Sequence, residues 1–198
     1  MSKPQLAKLR SAPWPAILPR LALNGPAGEM AANAADAAAA LEALEQAGLL
    51  TEAAKVLAFS LPKRESVWWA CMCARHTVPA ELPQPDRLAL ETAEQWVFKG
   101  EDTVRREAFA HAEQAGFGSP EAWAAVGAFW SGESIAPVGQ GNVTPAPHLS
   151  ATAVSGSVVL SAVRAFPERR LARLLRFIAS GREIADGGGG RIPPESAT

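Results

Sequence analysis

Three side chains that could bind a metal ion or attack a substrate lie within six positions of one another. Cys71, Cys73 and His76 belong to residues 61–77, LPKRESVWWACMCARHT, and thiolate and imidazole groups are both zinc ligands. On a helix Cys73 and His76 share a face, but Cys71 points about 200° away from Cys73. One helix therefore cannot present all three groups to a metal ion, and we expect core packing instead. The remaining histidines, isolated in sequence, are His111 and His148.

A Cys–His pair is also the arrangement of a nucleophilic catalyst. Cys73 and His76 lack a third group that would orient the imidazole, and apolar surroundings raise a thiol pKa, which disfavours the reactive thiolate. The acidic pair Glu101 and Asp102 lies at a predicted helix start, where capping explains it. The glycine run at residues 187–190 has no helix after it, so it does not match a phosphate-binding loop. These features predict a protein that is not an enzyme and needs no cofactor.

Adjacent tryptophans form a second group of interest, because tryptophan is over-represented at binding surfaces. Trp68 and Trp69 are neighbours on the predicted helix, so they point about 100° apart and cannot face the same neighbour. Burial of both side chains is the favoured interpretation. The alternative is that one of them lines a groove for a partner. The charged side chains that bracket the pair are Lys63, Arg64, Glu65 and Arg75.

An arginine-rich segment near the C-terminus is a competing candidate surface. A solvated helix face is its simplest interpretation, and a docking surface for an acidic partner is the alternative. Nucleic acid is disfavoured because no aromatic residue alternates with the arginines on the exposed side. Charge reversal at Arg173 and Arg176 would test this surface. The arginines are Arg164, Arg169, Arg170, Arg173, Arg176 and Arg182.

The overall composition limits the classes of partner. The chain of 198 residues has 19 basic and 20 acidic side chains, so no global field attracts nucleic acid or an anionic membrane. The two cysteines are too close in sequence to close a useful loop, which fits a reducing compartment. No apolar run approaches the roughly 20 residues of a membrane span. We expect a cytoplasmic protein.

The elements that position these groups are predicted to be helices. Residues 67–74 are all apolar, so their helix must be surrounded on every side. Other helices are placed around it by predicted caps and by glycine stops, which are the caps Thr51, Asp102 and Ser119 and the stops Gly48, Gly100 and Gly116. One of these helices, residues 151–165, also fits a strand. We predict an all-α, single compact domain of seven to eight helices, arranged as antiparallel hairpins around a buried Trp-rich central helix. The predicted helices are 30–47, 52–59, 61–77, 86–99, 103–115, 120–130, 151–165 and 167–185.

Three segments are predicted to be less regular. Residues 1–29 are proline-rich and form an irregular arm, ahead of a helical domain at residues 30–186. Residues 131–148 form a long loop inside that domain, and residues 187–198 form a disordered tail. The letters EQAG occur at both 45–48 and 113–116, and duplication of a helical hairpin is one interpretation.

Several phrases of the sequence occur together in a known order. LPKRESVWWACMCAR at residues 61–75 is followed by AEQWV at 93–97, AEQAGFGSPEAWAAVGAFWSG at 112–132 and APHL at 146–149. This set resembles an uncharacterised bacterial all-helical family encoded near type VI secretion genes, over about residues 37–185. The resemblance assigns no catalytic or binding residue. It implies a cytoplasmic accessory protein of the secretion apparatus or its cargo.

The leading hypothesis is a non-enzymatic adaptor or chaperone-like protein that binds an effector or spike component of a type VI secretion system. An immunity protein that neutralises a neighbouring toxin is the alternative. We expect a protein partner, and neither nucleic acid nor a membrane. The candidate partner-binding residues are Lys63, Arg64, Trp68, Trp69, Arg75, Arg169, Arg173 and Arg176.

Overall fold

The computed structural model describes residues 5–196, and over that range it contains eleven α-helices, one short 3-10 helix and no strand. The predicted all-α class is confirmed, and residues 151–165 lie mostly in a helix. The α-helices are α1 Ala7–Arg10, α2 Trp14–Leu21, α3 Gly25–Ala32, α4 Ala37–Gln46, α5 Leu50–Ser60, α6 Lys63–His76, α7 Gln84–Lys99, α8 Asp102–Gln114, α9 Pro120–Phe129, α10 Leu149–Val163 and α11 Arg170–Ala185, and the 3-10 helix is Pro167–Arg169.

Helix α6 is the predicted central helix. It packs against α7, α9, α10 and α11, and all of residues 66–74 are buried except Trp68. A Cβ atom on Gly181 of α11 would lie 2.9 Å from Leu57 Cδ1 and 3.2 Å from the Trp69 ring. The glycine therefore lets α11 approach the tryptophan closely, and the prediction of a surrounded Trp-rich helix is confirmed.

Consecutive helices pack as hairpins. Helix α4 packs on α5, α7 on α8, α8 on α9 and α9 on α10. Many of the buried side chains of these helices are alanines with no exposed surface, which allow close approach of the helix backbones. Examples are Ala89, Ala93, Ala108, Ala112, Ala124 and Ala125.

The repeated letters EQAG have a common structural explanation. At the end of α4, Gly48 has φ 73° and the Leu49 N–H donates to the Leu44 carbonyl at 2.9 Å. At the end of α8, Gly116 has φ 69° and the Phe117 N–H donates to the Ala112 carbonyl at 3.2 Å. Both are Schellman endings, which need a residue with positive φ after the last helical one. A shared helix ending is sufficient to account for the repeat.

Helix starts agree with the sequence signals at some positions only. The Ser119 hydroxyl accepts from the Ala122 N–H at 3.1 Å, as predicted for an N-cap. Thr51 and Asp102 lie inside the first turns of α5 and α8 and do not cap them. Asp102 instead forms ion pairs with Arg105 and Arg106, one turn ahead on the same helix.

The structure differs from the irregular arm predicted for residues 1–29, of which residues 1–4 lie outside the described part. Helices α1 and α2 and the start of α3 occupy this segment. Trp14, Ile17 and Leu21 are buried at helical spacing, and Pro15 lies in the first turn, where a missing N–H costs nothing. The single helix predicted at 30–47 is two helices, because Asp36 caps α4 through a 2.8 Å bond from the Ala39 N–H.

Residues 130–148 connect α9 to α10 without a helix, in agreement with the predicted loop. Two arginines of α8 form hydrogen bonds to the first part of this loop. Arg105, only 3% exposed, donates to the Ser134 carbonyl at 2.7 Å, and Arg106 donates to the Ala136 carbonyl at 2.7 Å.

Within residues 5–196 no single helix combines the length and the apolar character of a membrane span. The pair Leu149–Val163 and Pro167–Ala185 satisfies those two criteria when its members are joined, and it is bent by 115° at the break.

Candidate functional site

The Cys71, Cys73 and His76 group lies in the protein core. All three side chains are buried. Burial raises the pKa of both thiols well above the usual range, and the charge of Glu94 adds to the effect at Cys71. The His76 ring packs edge-on against Phe177 with 5.8 Å between ring centroids. Among the described residues, no cluster of three or more His, Cys, Asp or Glu side chains is placed to hold a metal ion.

We expect both cysteines to resist alkylation in the folded protein. Their raised pKa leaves little thiolate at pH 8, and a core opening that costs about 3 kcal/mol slows labelling by more than roughly 100-fold. Mass spectrometry after iodoacetamide treatment should show no adduct on the native chain and two adducts in guanidinium. Native labelling at the rate of a free thiol would contradict the buried placement.

The two tryptophans have different environments. Trp69 is fully buried, and its Nε1 donates to the Phe177 carbonyl at 2.8 Å. Trp68 is partly exposed, and its ring meets that of Phe98 edge-on at 5.5 Å between centroids. The prediction that both side chains are buried is therefore wrong for Trp68. The alternative, in which one of the two tryptophans lines a groove, describes the structure.

Trp68 and Phe98 form a ridge, here called the aromatic ridge, that contributes to two clefts. Phe98, at the end of α7, is 69% exposed. The basic cleft, of about 770 Å³, lies on one side and includes Lys8, Lys63 and Arg64. The tail cleft, of about 660 Å³, includes Arg75, Glu94 and residues 191–194. The structure thus brings Lys63, Arg64 and Trp68 into one cleft and Arg75 into the next.

The charged residues of these clefts differ in how firmly they are held. Arg64 donates to the Val97 carbonyl at 3.0 Å and also to the Phe98 carbonyl. These carbonyls lie at the end of α7, where no helical N–H is available to them, so Arg64 supplies their donors. Arg75 binds Glu94 through two bonds of 2.7 Å, and this interaction raises the pKa of Arg75. Lys63 is exposed and reaches only the Ser131 carbonyl, at 3.3 Å. This bond is longer than those of Arg64 and Arg75, so Lys63 is the least firmly held of the three cations.

The arginines of the C-terminal region do not share one solvated face. Arg173 is 3% exposed, and its guanidinium lies 2.6 Å from the Glu195 carboxylate. Arg169 lies over the Phe166 ring at 4.5 Å and is 3.6 Å from the same carboxylate. Arg176 is exposed. Charge reversal at Arg173 would disrupt a buried ion pair, so only Arg176 can test this surface cleanly.

Phe98 and Glu195 are not among the residues predicted from the sequence. Phe98 ends the apolar triplet Trp96-Val97-Phe98, and three consecutive helical residues span about 200° of the helix surface, so one of them had to face outward. Glu195 is the only acidic residue of segment 187–198, and its partner Arg173 lies 22 positions earlier in the chain, so no local signal pointed to this contact.

Comparison with known proteins yields a family but no activity. The profile of a family of unknown function, DUF6931, matches residues 40–185. No curated protein and no solved structure matches the chain. The family match carries no reference to type VI secretion, but it covers well over half of the chain. The chain therefore belongs to the family of unknown function DUF6931.

Proposed function

We propose that this protein is a non-enzymatic accessory protein that binds a protein partner at the aromatic ridge. The observation that carries the proposal is the 69% exposure of Phe98 beside the partly exposed Trp68. Large aromatic side chains are enriched at the centres of protein interfaces, because they exclude much water when a partner covers them. The clefts on both sides supply depressions into which a partner can insert side chains.

The basic cleft supports a partner segment that is both apolar and acidic. Its walls include Val97, Phe98 and Ile184, and its cations are Lys8, Lys63 and Arg64, against one carboxylate at Glu65. Lys8 is paired with Glu65 at 2.8 Å. The net excess of cations favours an acidic side chain next to an apolar one, since complementary charge directs the encounter.

The resemblance to a family encoded near type VI secretion genes suggests which partner this is. We propose an effector or spike component, which the protein binds in the cytoplasm as an adaptor or chaperone. The buried cysteines, whose raised pKa disfavours the thiolate, support a role other than nucleophilic catalysis. An immunity protein would use the same ridge to bind a single toxin.

Replacing Phe98 with aspartate is expected to weaken partner binding by at least about 30-fold, as for a side chain at the centre of an interface. The protein is co-expressed with each neighbouring effector and spike gene and purified by an affinity tag. The matched control is Val138→Asp, because Val138 is 82% exposed on the 130–148 loop. Wild type and control should retain the partner, and the Phe98 variant should lose it.

The remaining outcomes distinguish the hypotheses. Retention of the partner by Phe98→Asp would place the interface elsewhere on the molecule. Failure of the wild-type protein to retain any effector or spike component would contradict the adaptor role. Recovery of one toxin, together with rescue of cells that express it, would favour the immunity protein.

A further inference from the structure

Residues 187–196, here called the tail, form an ordered strap across the helices, whereas the prediction was a disordered segment at residues 187–198. Residues 197–198 lie outside the described part of the chain. It follows α11 without helical structure and runs past α6. Side chains of the helices bind its backbone, and its own backbone binds α6 in return. The bonds are Trp68 Nε1 to the Gly189 carbonyl at 2.7 Å, Ser180 Oγ to the Gly190 carbonyl, His76 Nδ1 to the Pro193 carbonyl, and the Glu195 N–H to the His76 carbonyl at 2.7 Å.

Two tail side chains serve as anchors. Ile192 packs partly buried against the hydrophobic core. Glu195 lines a pocket of about 540 Å³, here called the arginine pocket, together with His76, Arg164, Arg169 and Arg173, and its carboxylate is paired there with Arg173. An apolar anchor is thus followed three positions later by an acidic one.

The arginine pocket is built for a carboxylate. Arg173 is held in place by bonds to the Ala162 carbonyl at 3.2 Å and the Arg164 carbonyl at 2.6 Å. Its remaining donors bind Glu195 at 2.6 Å and 3.2 Å. A planar guanidinium fixed in this way presents parallel N–H groups to a carboxylate. Bonds from Arg173 lower the pKa of Glu195, so this carboxylate is ionised at neutral pH.

These contacts have the form of peptide recognition. Bonds to an extended backbone depend little on sequence, and side-chain pockets supply the selectivity. Pro193 and Pro194 favour an extended backbone, and they lie in the tail cleft with Trp68 and Phe98. Gly187 and Gly188 line the basic cleft. The tail therefore connects the two candidate surfaces, which the sequence alone presents as competitors.

We propose that the groove along α6 and α11, from the aromatic ridge to the arginine pocket, is a peptide-binding site that the tail occupies in cis. Its external ligand is an extended segment of a protein partner in which an apolar residue precedes a carboxylate by three positions. This segment displaces the tail when it binds. The inference rests on the proposed function for the identity of the partner, but its test requires only a synthetic peptide.

The test measures binding of a fluorescein-labelled peptide, GGGRIPPES, which copies residues 188–196. The full chain with Ile192→Ala and Glu195→Ala has a weakened tail, and it should bind the peptide at least tenfold more tightly than wild type. The reason is that an intact tethered tail competes at a millimolar effective concentration. The matched control, Val138→Ala, changes an exposed residue of the 130–148 loop outside the tail and the clefts and should bind like wild type.

A second peptide, GGGRIPPAS, tests the carboxylate anchor and should bind the weakened-tail variant at least tenfold less tightly. Equal binding of the two peptides, or no gain in the variant over wild type, would overturn the proposal. The effector experiment with Phe98→Asp is independent, so failure here leaves the proposed function standing.

Limited proteolysis of the wild-type chain provides a measurement that needs no variant. Trypsin cleaves after arginine, and Arg191 lies within the docked tail. Excess peptide GGGAIPPES, which trypsin does not cut, should increase the rate of cleavage after Arg191 several-fold as the tail is displaced. An unchanged rate at peptide concentrations well above millimolar would contradict displacement. Loss of residues 192–198 is read by mass spectrometry.

Discussion

Trp69→Ala is expected to lower the free energy of unfolding by about 3–5 kcal/mol, the range found when a large buried aromatic side chain is removed. Trp69 has no exposed surface and lies where α11 crosses α6, against Gly181. Removal of the indole ring leaves a cavity, and the Phe177 carbonyl loses the hydrogen bond that Trp69 Nε1 donates to it. Urea denaturation should show a lower midpoint at an unchanged slope.

The neighbouring residue supplies the matched control. Trp68→Ala should cost only about 1–2 kcal/mol, because part of its ring is already in water. The melting temperature of the Trp69 variant should fall by roughly 10 °C in a chain of this length, and that of the Trp68 variant by much less. Equal losses would show that the two side chains are equally buried and would contradict the orientation of α6.

Arg164→Ala is expected to destabilise the protein by about 3–5 kcal/mol, because it leaves a buried charge without a partner. The Glu121 carboxylate has no exposed surface, and the Arg164 guanidinium binds both of its oxygens, one of them at 2.8 Å. Arg164 also donates to the Thr77 carbonyl at 3.3 Å. The pair therefore joins α9 and α10 to the end of α6.

A double variant distinguishes this charge effect from a loss of packing. Arg164→Met combined with Glu121→Leu removes both charges and keeps similar volume, so much of the lost stability should return. Arg176→Ala is the control for loss of an arginine, because Arg176 is exposed on α11, and it should change stability by less than about 0.5 kcal/mol. If the double variant is no more stable than Arg164→Ala, the isolated carboxylate is not the cause.

Arg164, Arg173 and Arg176 have different environments, and this difference changes how the arginine-rich segment is interpreted. Arg164 and Arg173 are internal cross-links, to Glu121 and Glu195 respectively. Their positive charge is neutralised inside the molecule and offers little to a partner while the tail is docked. If a partner displaces the tail as proposed, Arg173 loses its carboxylate partner Glu195 and becomes available to that partner.

Much of the helical architecture was predictable because its signals are local. The apolar run at residues 67–74 indicates a surrounded helix whatever packs against it. The ends at Gly48, Gly100 and Gly116 each need a residue with positive φ, which all three adopt, and the Ser119 cap acts within one turn. Interactions that close within a few residues depend little on the rest of the fold.

The candidate site was predictable only in part. Lys63, Arg64 and Trp68 come from one helix, so their proximity follows from sequence. Phe98 and Glu195 come from α7 and the tail, and only long-range packing places them beside α6. A proline-rich or glycine-rich composition predicts a lack of regular structure, but it carries no information about contacts such as Ile192 against the core.

The sequence by itself determined the helical class, most of the helix limits and the central place of α6, because periodicity and capping are properties of short segments. The tertiary structure alone decided that Trp69 faces the core while Trp68 faces the clefts. It also decided that Arg173 is buried and that the tail crosses α6. The rotation of an all-apolar helix about its axis, and the path of an irregular segment, are set by contacts between residues far apart in the chain.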